Sequence, residues 1–311
     1  MIINMNEITK ELLKEVSGMD GEPGEGVAYN IREDSGCAGR QSSKDIKITP
    51  KKDKPGIDIA IAPGTKSESV YIPACVTHSA VSDVAYNDFF IGDDADVTIV
   101  AGCGVHSDGH EDAQHNGIHR FFIGKNARVI YLEKHIGTGK GDGKRIINPE
   151  TYVEMDENSF MEMDTTQIRG VDSTKRNTGA KLAANAKLVI KERLMTDGEQ
   201  EAETKFHVEM NGEDSSVDLV SRSVARGKSK QTLYSNIEGN AKCSGHSECD
   251  AIIMDHGTVN AIPGLLANHL DAALIHEAAI GKIAGEQILK LKTLGLTEKE
   301  AEEKIVNGFL K

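Results

Sequence analysis

The sequence predicts an all-β fold wound as a solenoid of stacked coils, on three observations. From residue 57 onward the chain breaks into short segments with period-2 alternation or β-branched runs, among them IDIAIA, DVTIVAG, KLVIKERL, KFHVEM and AIIMD. Almost all are bounded by Gly, Asn or Asp, the turn formers that separate short strands. The phrase G-x-x-small-x-apolar then recurs, as GDDADV (92–97), GKNARV (124–129) and GEDSSV (212–217), with looser copies DENSFM (156–161), AANAKL (183–188) and GNAKC (239–243). Its small residues fall at 95, 127, 159, 186, 215 and 241, in steps of 32, 32, 27, 29 and 26, and such a period marks a repeat architecture. Finally, the chain has no Trp, 4% aromatic residues and 31 Gly, which favours a core of stacked small aliphatic side chains. In a β-helix each coil would place a small residue at the corner and an apolar one inward, with Gly and Asn giving left-handed backbone at the bends. A β-sandwich with look-alike hairpin turns is the competing architecture on pattern alone.

Residues 1–56 read as an N-terminal helix followed by an irregular segment. MNEITKELLKEVS (5–17) places Ile8, Leu12 and Leu13 on one helical face, and GMDGEPGEG breaks it. The charge-, Gly- and Ser-rich stretch that follows reads as irregular or weakly extended. Residues 57–265 form the β-coil core. Residues 266–311 form a helical module. There Ala284, Ile288 and Leu291 recur at helical spacing, Gly295 sits where a helix stops, and LTEKEAEEKIVNGFLK restarts with Thr297 as N-cap and Glu300 three places on.

A net charge of −13 on 311 residues argues against nucleic acid or an anionic membrane as partner, since both need a basic surface. The N-terminus is acidic and interrupted by charges, unlike an export signal or a spanning helix. The five cysteines, at 37, 75, 103, 243 and 249, are therefore expected as thiols in a reducing cytoplasm, buried as small hydrophobes or free to bind metal.

GTGKGDGKR (137–145) is not a phosphate loop, because Arg145 stands where the hydroxyl residue belongs. CGVHSDGHEDAQHNGIH (103–119) gathers Cys103, His106, His110, His115 and His119 with acidic neighbours; it reads as a polar loop or as a zinc or iron site, and in the latter case a metal-dependent hydrolase follows. A polysaccharide-acting β-helix would instead use an acidic pair such as Glu154 and Asp156. In GHSECDAIIMD (245–255), Cys249 lies six residues beyond Cys243 with His246 between them, and LIHEAAIGKIAG (274–285) adds His276 and Glu277. Thiolates are soft donors, and a mixed sulfur, nitrogen and oxygen set grips an iron–sulfur cluster less firmly than four thiolates. Two core thiols before a capped strand is the plainer reading of the same residues.

The segment HSECDAIIMD…IPGLLANHLDAALIHEAAIGKIAGEQILKLKTLGLTEKEAEEKIVNGFL (246–310) resembles the C-terminal signature of the SufB/SufD family of the SUF iron–sulfur cluster assembly machinery. RGVDSTKRNTGAKLAANAKL and VSRSVARGKSKQTLYSNIEG also resemble the family's body, extending the likeness over roughly residues 28–310. The resemblance implies a right-handed parallel β-helix with a C-terminal helical module, and a non-enzymatic scaffold. It places the cluster-building cysteine on Cys249, which makes the chain SufB-like, and an interface His-Glu pair on His276 and Glu277. Cys243, His246 and Cys103 are further ligand candidates for a [4Fe-4S] or [2Fe-2S] cluster. It also implies a SufC-like ABC ATPase docked on the helices at 284–310, a sulfur donor, apo iron–sulfur recipients, and a homodimer or SufB/SufD-like heterodimer.

Overall fold

Strands too short to fold alone bury their apolar faces by stacking on the coils before and after them. The computed structural model describes residues 5–19 and 23–311, and there the chain forms a β-solenoid of about eight turns whose two sheets face each other across a narrow core. Sheet A runs, in spatial order, Gly36–Gln41, Ala28–Glu33, Lys66–Val76, Asp96–His106, Arg128–Thr138, Phe160–Arg169, Lys187–Thr196, Ser215–Ala225, Cys243–Ile253 and Ala272–Gly281. Sheet B begins at Ile46–Pro50 and Gly56–Ile61, continues through Ser82–Ile91, Ala113–Ile123, Ser173–Leu182, Glu201–Met210 and Lys230–Gly239, and ends at Thr258–Ala267. Arg145–Ile147 and Glu150–Met155 share one place in sheet B, between Ala113–Ile123 and Ser173–Leu182. Pairing is parallel except in two hairpins at the N-terminal end.

The repeat phrase is the coil corner. Asp94, Asn126, Asn158, Asn185 and Asp214 take left-handed backbone with φ between 56° and 59°. Each is followed by a buried small residue: Ala95, Ala127, Ser159, Ala186 and Ser215. Asn supplies this conformation, as expected, and Asp shares the role, but the Gly that opens the phrase serves otherwise. A Cβ on Gly212 would lie 2.0 Å from Ala184 N, so glycine is needed there for close approach to the turn below.

The segment expected to be irregular instead supplies the strands that close the N-terminal end. Ile46 and Ile48 are buried against Ile57, Ile59 and Ile61, and Ala28 and Ile31 are buried in the first coil. Its polar local sequence hides this because Ala28–Glu33 pairs with the distant strand Lys66–Val76, and the short Ile46–Pro50 shows its apolar face only against Gly56–Ile61. Helix α1 (Glu7–Ser17) lies on the outer face of sheet A with Leu12, Leu13 and Val16 buried. It comes so close that a Cβ on Gly102 would lie 2.6 Å from Val16 O, and one on Gly104 2.8 Å from Leu12 Cδ2.

The other end stays open. Strands continue to Gly281, and the last of each sheet, Thr258–Ala267 and Ala272–Gly281, has an unpaired edge. Apolar side chains are exposed around it, with Leu266 at 49%, Ile275 at 56% and Leu270 at 101%. Helices α2 (Gly285–Thr293) and α3 (Glu298–Phe309) do not cover it. Helix α3 carries the expected Thr297–Glu300 capping box and packs Val306 and Leu310 against Val224. No described helix is long and apolar enough to cross a membrane.

Candidate functional site

Strand alternation sorts the candidate ligands onto two faces. On strand Cys243–Ile253, Cys243, Gly245, Ser247, Cys249 and Ala251 point into the solenoid, while His246, Glu248 and Asp250 point out. The final sheet A strand pairs in register, Ser247 with His276, Glu248 with Glu277 and Cys249 with Ala278. His276 therefore shares the inner face with Cys249, one diagonal step away. Glu277 lies on the outer face beside Glu248.

Within one chain the structure unites Cys249 and His276 and separates the other candidates from them. Cys243 is on the same face of the same strand, but six residues of extended chain put it about 20 Å from Cys249, too far to share an ion. Cys103 is five strand spacings away, about 24 Å along the solenoid axis. His246 turns outward, its Nδ1 2.8 Å from Asp218 Oδ1. No group of three or more His, Cys, Asp and Glu side chains among the described residues is placed to hold a metal ion.

The Cys249 thiol is buried at 2% exposure, and burial, with the negative charges of Glu192 and Asp250, pushes its pKa up to about 11. It is thus neutral at pH 7 and becomes a thiolate when a cation displaces its proton. Burial also pushes the Cys243 thiol up. His276 Nδ1 is buried without a hydrogen-bond partner, a lone polar atom on the same face as the thiol. A soft donor beside an unsatisfied imidazole fits iron.

Sequence reasoning missed the polar row behind Cys249. Glu133, Thr165, Glu192, Ser221 and Cys249 occupy successive inward positions of sheet A. Glu192 accepts from Ser221 Oγ at 2.7 Å and Thr204 Oγ1 at 3.0 Å, and Arg176 Nη1 donates to Glu133 at 2.6 Å. The signal was in the parity of KLVIKERL, where Glu192 follows Leu188 and Ile190 at an inward position.

The 103–119 histidines do not form one site. His106 and His110 lie outside, pairing with Asp108 and Asp142, whereas His115 and His119 point into the core. A hydrolase using them together has no common centre. Glu154 projects outward, and Asp156 accepts the backbone N–H of Glu157 at a turn, so they do not form the acidic pair either.

Residues 78–309 match the profile described as SUF system FeS cluster assembly, SufBD core domain. An iron–sulfur cluster assembly SufBD family protein of Archaeoglobus fulgidus is 27% identical over 267 residues, covering 85% of this chain and 70% of that one. One from Methanothermobacter thermautotrophicus is 27% identical over 266 residues, covering 82% of this chain and 62% of that one. A third, from Methanocaldococcus jannaschii, is 30% identical over 238 residues, 76% of this chain and 74% of the relative.

Proposed function

The chain belongs to the SufBD family of iron–sulfur cluster assembly proteins, and from that premise we propose that it is a scaffold on which a cluster is built at a subunit interface and handed to apo-proteins. The cluster is cargo, and the chain itself catalyses no turnover. The observation that carries the reading is that buried Cys249 and the unsatisfied His276 Nδ1 share the inner face of adjacent strands, one diagonal step apart, beside the open end of the solenoid.

Unpaired strand edges and exposed apolar side chains there suit pairing with a second copy. Such a homodimer brings together two sets of Cys249, His276 and Glu277, so that each chain's outward carboxylate can serve the shared interface; a SufD-like partner would fill the same place. Cys249 is the thiolate anchor, and His276 and Glu277 are exchangeable ligands. Cys243, about 20 Å from Cys249, and His246, turned outward to Asp218, are set apart from this ligand set, and Cys103 is more remote still. The cluster is of the [4Fe-4S] or [2Fe-2S] kind.

Because Cys249 is sealed within its own chain, loading and release need the last coil to open as well as the interface. A SufC-like ABC ATPase bound to α2 and α3 supplies that motion in this reading. Leu289 at 63% and Leu294 at 73% exposure give it an apolar foothold, and α3 is packed against Val224, on the strand adjoining that of Cys249. Five free thiols suit a reducing cytoplasm.

The test is anaerobic reconstitution with iron and sulfide, read by absorption and Mössbauer spectra, for wild type, Cys249→Ser and Glu277→Ala. The proposal expects a coloured cluster in wild type, none in Cys249→Ser, and a weakly held one in Glu277→Ala. A full cluster in both variants overturns it.

A further inference from the structure

On strand Ala113–Ile123 the inward positions read His115, Gly117, His119, and the glycine leaves a gap between two imidazoles. A Cβ on Gly117 would lie 3.2 Å from His119 Nε2 and 3.5 Å from His115 Nε2, so both nitrogens border one small space.

The hydrogen bonds decide what those nitrogens offer. His115 Nδ1 is 2.9 Å from Asp83 Oδ2, and a carboxylate only accepts, so Nδ1 carries the hydrogen and Nε2 is the nitrogen left to offer a lone pair. Tyr131 donates its hydroxyl hydrogen to Glu133 at 2.9 Å, so its oxygen accepts from His119 Nδ1 at 2.8 Å. His119 Nε2 is then a lone pair as well, with Asn87 Nδ2 at 3.3 Å as its hydrogen-bonding neighbour among the described residues. Both rings are at least 95% buried, and both line a cavity of about 30 Å³ that Cys103 enters from the facing sheet. That volume holds a small ion or a water or two. His135, in register with Cys103, has a buried Nε2 that lies 3.3 Å from Glu133 Oε1 off hydrogen-bonding geometry and has no other partner.

Converging lone pairs repel an anion and attract a cation. A histidine whose Nδ1 is held by a carboxylate or another fixed oxygen, leaving Nε2 free, is the arrangement that orients imidazole toward a metal. The neighbouring charges cancel, Arg32 against Asp83 and Arg176 against Glu133, so a divalent ion with one thiolate leaves only a single net charge.

We propose that His115, His119 and Cys103 form a binding site for one divalent transition-metal ion of the zinc class, inside the N-terminal half of the solenoid. It lies about 24 Å from Cys249 and stands independently of the cluster-assembly reading. The donors are not drawn to bonding distance as the chain stands. Binding closes the rings and the thiol on the Gly117 gap, to about 2.0–2.1 Å for nitrogen and 2.3 Å for sulfur, and the thiol proton leaves to solvent as the metal–sulfur bond forms.

The test uses full-length protein carrying Cys249→Ser, titrated anaerobically with Co²⁺ and then Zn²⁺. The proposal expects one Co²⁺ per chain with tetrahedral visible bands and a thiolate-to-cobalt charge-transfer band, both erased by Zn²⁺. Cys103→Ser keeps the ion and loses the charge-transfer band. His115→Gln loses the ion. Gly117→Ala, which fills the gap with a methyl group against a movable ring, keeps the fold by circular dichroism and weakens binding by about tenfold or more. If His115→Gln fails to fold, Gly117→Ala decides. A Cys249→Ser chain that takes up no cobalt, or binding unchanged in Gly117→Ala and Cys103→Ser, overturns the site.

Discussion

Ser221 stands directly beside Cys249 on the inner face of sheet A and gives its hydroxyl hydrogen to the buried carboxylate of Glu192. The thiol proposed to anchor iron thus faces a polar row, with a fixed negative charge one residue deeper. That charge attracts a cation arriving at Cys249 and disfavours the bare thiolate. The same burial that keeps the thiol neutral also hides it from reagents.

Of the five cysteines, Cys37 is exposed and the other four are buried. Brief alkylation of the native monomer, mapped by mass spectrometry, should therefore label Cys37 and leave Cys75, Cys103, Cys243 and Cys249 unmodified until denaturant is added. Fast native labelling of Cys249 would mean that the last coil opens by itself.

Asn185 sits at φ 58°, and Gly212, at the corner of the next coil, has its missing Cβ 2.0 Å from Ala184 N. Asn185→Gly should be close to neutral, and Asn185→Ala should cost about 1–2 kcal/mol for left-handed backbone. Gly212→Ala should cost more, because backbone must move. Urea unfolding ranks the three.

Arg176 is buried, with Glu133 at 2.6 Å and Glu192 at 3.9 Å. Arg176→Met strands two carboxylates in the core and should destabilise by about 3–5 kcal/mol. Adding Glu133→Gln should recover part of the loss, and a double-mutant cycle in urea measures the coupling.

Burial by itself would raise the Asp88 carboxyl, but hydrogen bonds from Arg120 and Lys51 outweigh it and hold the group below its ordinary value. Its stabilisation is therefore present above the unfolded-state pKa of about 3.9 and lost as pH falls through the lower folded value. Asp88→Asn should be destabilised at neutral pH, with the gap to wild type narrowing in acid. A constant gap from neutral pH down to about pH 2 would rule out this linkage.

The sequence by itself determined the solenoid, its corners, the N-terminal helix and the capped helix α3, because these rest on local chemistry. Asn or Asp before a buried small residue makes the same turn wherever it occurs, and Thr297 with Glu300 caps α3 without help from elsewhere. It also marked Cys249, His276 and Glu277 as the residues to inspect. Only the tertiary structure decided which of them share a face. Alternation along a strand is fixed, but the register between coils depends on turn lengths and core packing, and it sets His276 on the inner face with Cys249 and Glu277 on the outer. For the same reason Cys243 and Cys249, six apart on paper, stand far apart on one extended strand, while His115 and His119 meet across Gly117. The strands at 28–50 were illegible locally because Ala28–Glu33 finds its parallel partner only at Lys66–Val76, and Ile46–Pro50 is a short polar-flanked strand that shows its face only against Gly56–Ile61.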